Sequence, residues 1–321
     1  MTRMELDAAG IEEPALRSAY RDCRELNARH GRTYFLATRM LAPAQRPAVH
    51  ALYGFARMLD DIVDEPAPGA TSATIAAELD AAEERFFSAL AADRDDDPVL
   101  QAVVDTVTRY GIPDEHFRAF FRSMRMDLTV TDYPRRSALD YYMHGSAEVI
   151  GLQMLPVLGT VTSRQEAAPY AASLGKAFQL TNFLRDVAED LARDRVYLPA
   201  DELAAFDVDR ERLRWCADGE RVDDRVRDAL VEQVAITRAI YAEARLGITM
   251  LHPVSRPCVA TAFILYSEIL GCIEQAGYNV FSRRAKVSRS RRLRVAGGAL
   301  ARAYWSRVRH QAPDPVAVAV P

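Results

Sequence analysis

Carboxylate side chains recur at helical spacing inside an apolar segment, residues 53–65. Asp60 and Asp64 are four residues apart, and Arg57 precedes Asp61 by the same interval. If the segment is helical, side chains four residues apart lie one turn apart on the same face. Like charges at this spacing repel each other, and burying them without a partner costs further free energy. The spacing therefore predicts a bound cation on this face, with a solvated acidic surface as the alternative for a single such run.

Oxygen-bearing side chains return at the same spacing in residues 179–190. Gln179, Asn182, Asp186 and Asp190 follow one another at intervals of three, four and four. This spacing predicts one oxygen-rich stripe along a second helix. A further acidic run, residues 93–97, lacks the repeat and is interpreted as a solvated loop.

Taken together, the two stripes predict a site for a hard divalent cation. Carboxylate and amide oxygens suit Mg²⁺ or Mn²⁺, whereas zinc sites use His and Cys ligands, which both segments lack. Mg²⁺ usually keeps several waters and is held by a few carboxylates together with substrate phosphates. The paired motifs therefore indicate an enzyme that acts on a diphosphate.

Composition excludes several other classes of protein. The chain of 321 residues is 49% hydrophobic and 27% charged, which favours a large buried core over disorder. Its net charge of −4 gives no basic footprint for nucleic acid. The four cysteines form no Cys-x-x-Cys pair, and the first ten residues lack the apolar core of a signal peptide. We therefore expect a reducing, cytoplasmic location.

Apolar residues recur every three or four positions through most of the chain, and alternation with a period of two is rare. This pattern predicts an all-α protein. Because no linker divides the chain, we expect one helical domain over residues 1–310. The Pro-, Ala- and Val-rich residues 311–321 are predicted to be a disordered tail. The helix with the first aspartates should stop at Glu65, because Pro66 follows.

Two further segments have unusual compositions. Gly145, Ser146, Ala147 and Gly151 gather small side chains after a pair of tyrosines. They predict either close helix contact or room for a substrate, and both interpretations stay open. Residues 283–294 form a basic cluster that could bind a diphosphate or an anionic membrane surface.

These segments resemble the squalene/phytoene synthase family of head-to-head prenyl synthases, from about residue 32 to residue 294. The likeness lies in Ala-Leu-Tyr-Gly-Phe-Ala-Arg-Met-Leu-Asp-Asp-Ile-Val-Asp-Glu, in Gln-Leu-Thr-Asn-Phe-Leu-Arg-Asp-Val-Ala-Glu-Asp with Arg-Val-Tyr-Leu-Pro behind it, and in Gly-Tyr-Asn-Val-Phe-Ser-Arg-Arg. The chain is most similar to the bacterial phytoene-forming branch. The resemblance implies an isoprenoid-synthase-type helical bundle with a central cleft.

The resemblance also implies roles for individual residues. Catalytic roles are implied for Asp60, Asp64, Asp186, Asp190 and Tyr142. Metal binding is implied for Asp60, Asp64, Asn182, Asp186 and Asp190. Substrate contacts are implied for Tyr34, Tyr53, Arg57, Ala147, Ile150, Gln179, Arg185, Tyr266, Arg283 and Arg291. Glu148 stands where the family usually has a small residue, a departure that bears on the local shape of the pocket and hence on the preferred chain length.

The implied reaction is a Mg²⁺-dependent (or Mn²⁺-dependent) condensation of two geranylgeranyl diphosphates to phytoene through a cyclopropyl diphosphate, in carotenoid biosynthesis. NADPH is not expected. The alternative is formation of presqualene diphosphate, squalene or dehydrosqualene from farnesyl diphosphate. A non-catalytic helical binding or assembly protein is a further alternative, but such a protein would be expected to lose aspartates that this chain keeps. Prenyl diphosphates are the expected partners. Peripheral membrane contact is left open, and neither nucleic acid nor an obligate protein partner is expected.

Overall fold

The computed structural model describes residues 3–310 and residue 312. Helices dominate, and the only β-type pairings among the described residues are two isolated bridges, between residues 132 and 196 and between residues 160 and 251. The α-helices are α1 (Arg3–Ala8), α2 (Pro14–His30), α3 (Arg32–Thr38), α4 (Arg46–Asp64), α5 (Ser72–Ala92), α6 (Pro98–Tyr110), α7 (Asp114–Met126), α8 (Arg136–Met143), α9 (Val149–Leu158), α10 (Arg164–Arg185), α11 (Val187–Ala192), α12 (Ala200–Ala204), α13 (Arg210–Asp218), α14 (Asp224–Gly247), α15 (Arg256–Gln275) and α16 (Arg289–Arg309). The all-α prediction is confirmed. The single domain stays a prediction, and the predicted tail, residues 311–321, lies outside the described residues apart from Ala312.

Helix α4 carries the first aspartate motif. Pro47 lies in its first turn, where the missing N–H has no helical partner to lose. The helix ends at Asp64, and Glu65 leaves helical geometry with φ of −125° just before Pro66. This agrees with the predicted stop. Buried side chains such as Phe55 and Leu59 attach the apolar face of α4 to the core.

Helix α10 carries the second motif and contacts α9, α14 and α15. A capping box fixes its start, because the Ser163 hydroxyl accepts a hydrogen bond from the Glu166 N–H and the Glu166 carboxylate accepts one from the Ser163 N–H. Ala167, near its start, belongs to the apolar cluster around α4 and α7. Leu184, near its end, belongs to a second cluster formed with α13, α14 and α15. One helix therefore joins the two main cores.

A break separates α10 from α11 at Asp186. Its backbone angles, φ of −107° and ψ of 13°, are not helical, and the helix restarts at Val187. The prediction of a single helix through residues 179–190 is therefore wrong. At the break, the Asp186 carboxylate accepts hydrogen bonds from the guanidinium groups of Arg185 and Arg284.

A π-helical turn, residues 144–148, connects α8 to α9. A Cβ added to Gly145 would lie 2.1 Å from the carbonyl oxygen of Ala119 on α7. One added to Gly151 would lie 2.2 Å from the carbonyl oxygen of Ala171 on α10. Because real Cβ atoms do not approach so closely, only glycine allows these backbones to meet. The close-contact interpretation is thus confirmed for both glycines.

One described helix, α15, is long and apolar enough to cross a membrane by length and composition. It packs against α3, α10, α14 and α16. Its buried side chains, which include Leu265 and Leu270, belong to the second core. This packing is that of a core helix in a helical bundle.

Gly145→Ala should destabilise the fold by about 1–3 kcal/mol, because overpacking must push α7 from the π-helical turn. Gly271→Ala is the matched control. It lies within α15 with nothing within 4 Å of an added Cβ, and should be neutral or stabilising by up to about 1 kcal/mol. Urea unfolding of both variants measures the difference. Equal midpoints would contradict the close contact at Gly145.

Candidate active site

A cavity of about 560 Å³ lies between the helices that carry the two motifs. Along α4 its wall changes from Val49, Leu52 and Ala56 to Asp60 and Asp64. Along α10 it changes in the same way, from Ala167, Tyr170, Ala171 and Leu174 to Gln179, Asn182 and Arg185. One part of the cavity is therefore apolar, and the other gathers carboxylates, amides and guanidinium groups.

All five predicted metal ligands line this cavity: Asp60, Asp64, Asn182, Asp186 and Asp190. In the described part of the chain, no three His, Cys, Asp or Glu side chains come together as a ready-made cation site. The donor set nevertheless fits a hard cation that takes its remaining ligands from a substrate diphosphate. The Oδ1 atom of Asn182 supports this fit, because it is buried and accepts no hydrogen bond from a described residue.

Two of these carboxylates are held in unfavourable surroundings. Burial, followed by the neighbouring Asp64, raises the pKa of Asp60 to about 7. Burial, followed by the neighbouring Asp186, raises the pKa of Asp190 to about 7. A carboxyl that titrates near neutrality between other carboxylates is readily ionised by a cation that arrives beside it.

Guanidinium groups partly neutralise the acidic end of the cavity. Arg185 donates to both oxygens of the Asp186 carboxylate, at 2.8 and 2.5 Å, and Arg284 donates to the same oxygens at 2.7 Å each. Arg193 and Arg195 line the cavity and lie 3.9 and 3.8 Å from the Asp64 carboxylate. Because these two arginines follow α11, their contacts bring the two motifs face to face.

Four residues predicted to contact substrate are not part of the cavity wall: Arg57, Arg283, Arg291 and Tyr266. Arg57 pairs instead with Asp61 on its own helix and with Glu65 just beyond the end of that helix. Arg291 pairs with Glu268 of α15 at 2.9 Å. Arg283 is exposed.

The neighbouring residue, Arg284, reaches the site instead of Arg283. The adjacent arginines follow a turn in which Tyr278 has a positive φ of 62°. A helical period therefore could not predict which of the two faces inward.

The roles of the other predicted residues stay predictions, but their positions agree with the cavity. Tyr34, Tyr53, Tyr142, Ala147, Ile150, Gln179 and Arg185 line the cavity. Tyr266 stands directly behind this wall, where its hydroxyl donates to the Tyr34 hydroxyl at 2.7 Å. Its ring also lies 4.5 Å from that of Phe178, measured between centroids.

A hydrogen-bonded group around Asp127 was missed by the sequence analysis. The Tyr142 hydroxyl donates to one carboxylate oxygen of Asp127 at 2.9 Å, and the Tyr197 hydroxyl approaches the other at 3.5 Å. Arg195 donates to the Asp127 backbone carbonyl at 2.9 Å. Burial raises the pKa of Asp127 to about 6, against the lowering effect of Arg195. The only sequence signal was Tyr197, which lies in the stretch Arg-Val-Tyr-Leu-Pro.

Glu148 is not part of the cavity wall. Its carboxylate faces away and accepts a hydrogen bond from the His144 ring at 3.0 Å, with Lys176 at 3.9 Å. Ser146 and Ala147 take the cavity side, so the substrate-room interpretation also applies to part of this segment. The π-helical turn separates these two directions within three consecutive residues.

The cation-free protein should lose stability as the pH rises from about 4 through about 7. Asp60 and Asp190 titrate near 7 in the fold, above the usual aspartate value of about 3.9. At pH values below that usual pKa, the protonated carboxyls contribute fully to the stability of the fold. This contribution disappears as the two groups ionise with rising pH. Thermal unfolding in EDTA across this pH range measures the loss, and Mg²⁺ with inorganic diphosphate should restore more stability near pH 8 than near pH 6.

The double variant Asp60→Asn and Asp190→Asn should flatten this pH dependence. Asp218→Asn, at an exposed site in α13, is the control and should leave it unchanged. If the double variant and the parent kept the same pH profile, the two carboxyls would not be the groups responsible.

Comparison with known proteins agrees with this geometry. The family model for squalene/phytoene synthase matches residues 27–291. The phytoene synthase of Arthrospira platensis is 37% identical over 289 residues, which cover 86% of this chain and 91% of the relative. The 15-cis-phytoene synthase of Synechococcus elongatus is 37% identical over 290 residues, covering 87% and 91%.

Solved structures share the fold. A crystal structure of a dehydrosqualene synthase superposes with a TM-score of 0.80 at 23% identity, covering 91% of this chain and 98% of that one. The squalene synthase HpnC from Alicyclobacillus acidocaldarius superposes with a TM-score of 0.76 at 26% identity, covering 85% and 99%. From the family match and the identity to curated relatives along most of its length, this chain belongs to the squalene/phytoene synthase family.

Proposed function

We propose that this protein is a Mg²⁺-dependent prenyltransferase that joins two geranylgeranyl diphosphates head to head and forms phytoene. The observation that carries the proposal is the cavity whose wall changes from apolar side chains to two facing aspartate motifs. Such a wall suits a molecule with a long hydrocarbon chain and a diphosphate head. The choice of the C20 chain rests on the relatives that are named phytoene synthases.

The polar end would hold the diphosphates. Asp60, Asp64, Asn182, Asp186 and Asp190 are the residues that would hold Mg²⁺, which when bound neutralises charge on the departing diphosphate. Arg185, Arg193 and Arg195 already line this part of the cavity, and Arg284 contacts Asp186. Their guanidinium groups suit the planar, paired recognition of phosphate oxygens.

The apolar end would protect the reaction. Ionisation of an allylic diphosphate leaves a carbocation that any nearby water would capture, so the chains must lie in a dry cavity. Side chains such as Leu52, Met154, Leu158 and Phe178 supply such a wall. The faces of Tyr34 and Phe178 could also stabilise positive charge through their π systems.

Tyr142 is our candidate for the proton acceptor. Burial raises its pKa well above the usual value, so the phenol is neutral, and its proton is already donated towards Asp127. In each half of the reaction, the hydroxyl oxygen would take a proton from the carbocation while its own proton moves to Asp127, which would pass that proton to the released diphosphate before the next half. Diphosphate itself is the alternative acceptor.

The proposed reaction needs no reductant. Each half breaks one carbon–oxygen bond and releases one diphosphate and one proton. The first half forms the carbon–carbon bonds of the cyclopropane ring, and the second opens that ring as it forms the new chain linkage, so electrons balance without hydride. Squalene formation differs because the last cation must accept hydride. The superposition on enzymes named squalene and dehydrosqualene synthase supports farnesyl diphosphate chemistry as the second candidate. The cytoplasmic location stays a prediction.

Product analysis separates the candidates. Purified protein is incubated with Mg²⁺ and either geranylgeranyl or farnesyl diphosphate, with and without NADPH, and the extracted hydrocarbons are identified. A C40 product from geranylgeranyl diphosphate without NADPH is expected. A C30 product from farnesyl diphosphate alone, with no C40 product, would overturn the choice of chain length. No product from either substrate would overturn the enzyme itself.

Tyr142→Phe should lower kcat by about 10²-fold or more, because the proton acceptor is lost. Tyr133→Phe is the matched control. Its ring lies 5.5 Å from that of Tyr142, but its buried hydroxyl has no hydrogen-bond partner among the described residues. This variant should keep its turnover. Steady-state kinetics on both variants measures the effect, and equal kcat values would assign proton removal to another group.

A further inference from the structure

Helix α16 exposes an unusual amount of apolar surface. Leu293, Leu300, Tyr304 and Val308 are 71%, 44%, 60% and 62% exposed. They follow one another at intervals of seven, four and four residues, so on a helix they form one continuous stripe. Trp305, which is 59% exposed, lies beside it.

A second face of α16, about 100° round the helix from the apolar stripe, attaches the helix to the fold. Ala296, Ala299 and Ala303 are buried in the first apolar core. The Ser306 hydroxyl donates to the backbone carbonyl of Pro253 at 2.8 Å, which anchors the last turns. With these contacts made, the side chains of the apolar stripe stay exposed along the helix.

Charge on α16 has one sign. The helix contains seven arginines and no acidic residue, in a chain whose net charge is −4. Arg294, Arg302 and Arg309 are exposed and form no ion pair with any described residue. At 100° per residue all three lie within about 60° of Trp305, on one side of the apolar stripe.

We propose that α16 docks this protein on an anionic lipid bilayer, with the helix in the plane of the interface. An apolar stripe with tryptophan and tyrosine, flanked by arginines, matches the pattern of helices that lie between headgroups and acyl chains. The positive charge selects anionic headgroups. A helix of 21 residues extends about 31 Å, so the contact runs along a broad surface.

The position of α16 also fits a membrane use of the cavity. The core that receives Ala296, Ala299 and Ala303 includes Ala37, Leu41 and Cys258, which line the cavity. Helix α15, against which α16 packs, also contributes Cys258 and Val259 to the cavity wall. The use of this surface for delivering a hydrocarbon product rests on the proposed function, but the docking itself does not.

Tryptophan fluorescence gives the sharpest test, because the chain has two tryptophans, Trp215 and Trp305. In Trp215→Phe, the remaining tryptophan lies in the docking surface. Vesicles of equal parts phosphatidylcholine and phosphatidylglycerol should shift its emission to the blue, and lipids brominated on the acyl chain should quench it. In Trp305→Phe, the remaining tryptophan lies on α13 and should show neither effect.

Vesicle sedimentation tests the surface as a whole. Leu300→Ser with Val308→Ser should reduce binding at least tenfold, whereas Val231→Ser with Leu246→Ser, at comparably exposed positions on α14, should not. Arg294→Gln and Arg302→Gln should each reduce binding by about fivefold, and vesicles of phosphatidylcholine alone should bind the parent protein weakly. All variants should keep the parent's thermal midpoint and its turnover in detergent.

Absence of the blue shift and of sedimentation with anionic vesicles would overturn the proposal. A lipid-free association that depends on Leu300 and Val308, measured by sedimentation velocity, would instead assign the stripe to a second copy of the chain. Because binding is measured without substrate, a lack of prenyltransferase activity would leave this result unaffected, and loss of docking would not affect activity in detergent.

Discussion

Mutual repulsion among carboxylates in a poorly hydrated cavity is the constraint on which the rest of this structure depends. Asp60 and Asp190 titrate near neutrality because burial and neighbouring acids disfavour their charge. The fold offsets part of this cost with arginines that come from other segments, including Arg195 and Arg284. The negative charge that the arginines leave uncompensated favours the binding of a cation together with a diphosphate.

Rigid helices hold these carboxylates in position. Helix α10 is anchored by a capping box at one end and passes through both apolar cores. Because the helix breaks at Asp186, Asp190 lies on a separate helix, α11, and not on a continuation of α10. The second motif is therefore divided between two elements, although its spacing is that of one uninterrupted helix.

The sequence predicted the elements well, and also which oxygen-bearing side chains meet in one cavity, because both depend on short-range periodicity. The stop of α4 at Pro66 and the positions of Asp60, Asn182 and Asp186 in one cavity are examples. Asp127 could not be found in this way, since it stands alone after α7 and gains its role from tyrosines far along the chain. Turn geometry likewise decides that Arg284, and not the predicted Arg283, contacts Asp186. The outward direction of Glu148 depends on a π-helical turn that no residue pattern indicated.

That π-helical turn changes what a single-residue deletion would mean for this protein. Each residue of an α-helix rotates the chain by about 100° about the helix axis. The π-helical turn therefore sets the angle between the directions of Tyr142 before it and Ile150 after it. A chain shortened by one residue within residues 144–148 could stay fully helical, with unchanged circular dichroism, and yet rotate Ile150 out of the cavity. In alignments of this segment, a gap one residue long therefore marks a change of the cavity lining and not a harmless variation in length.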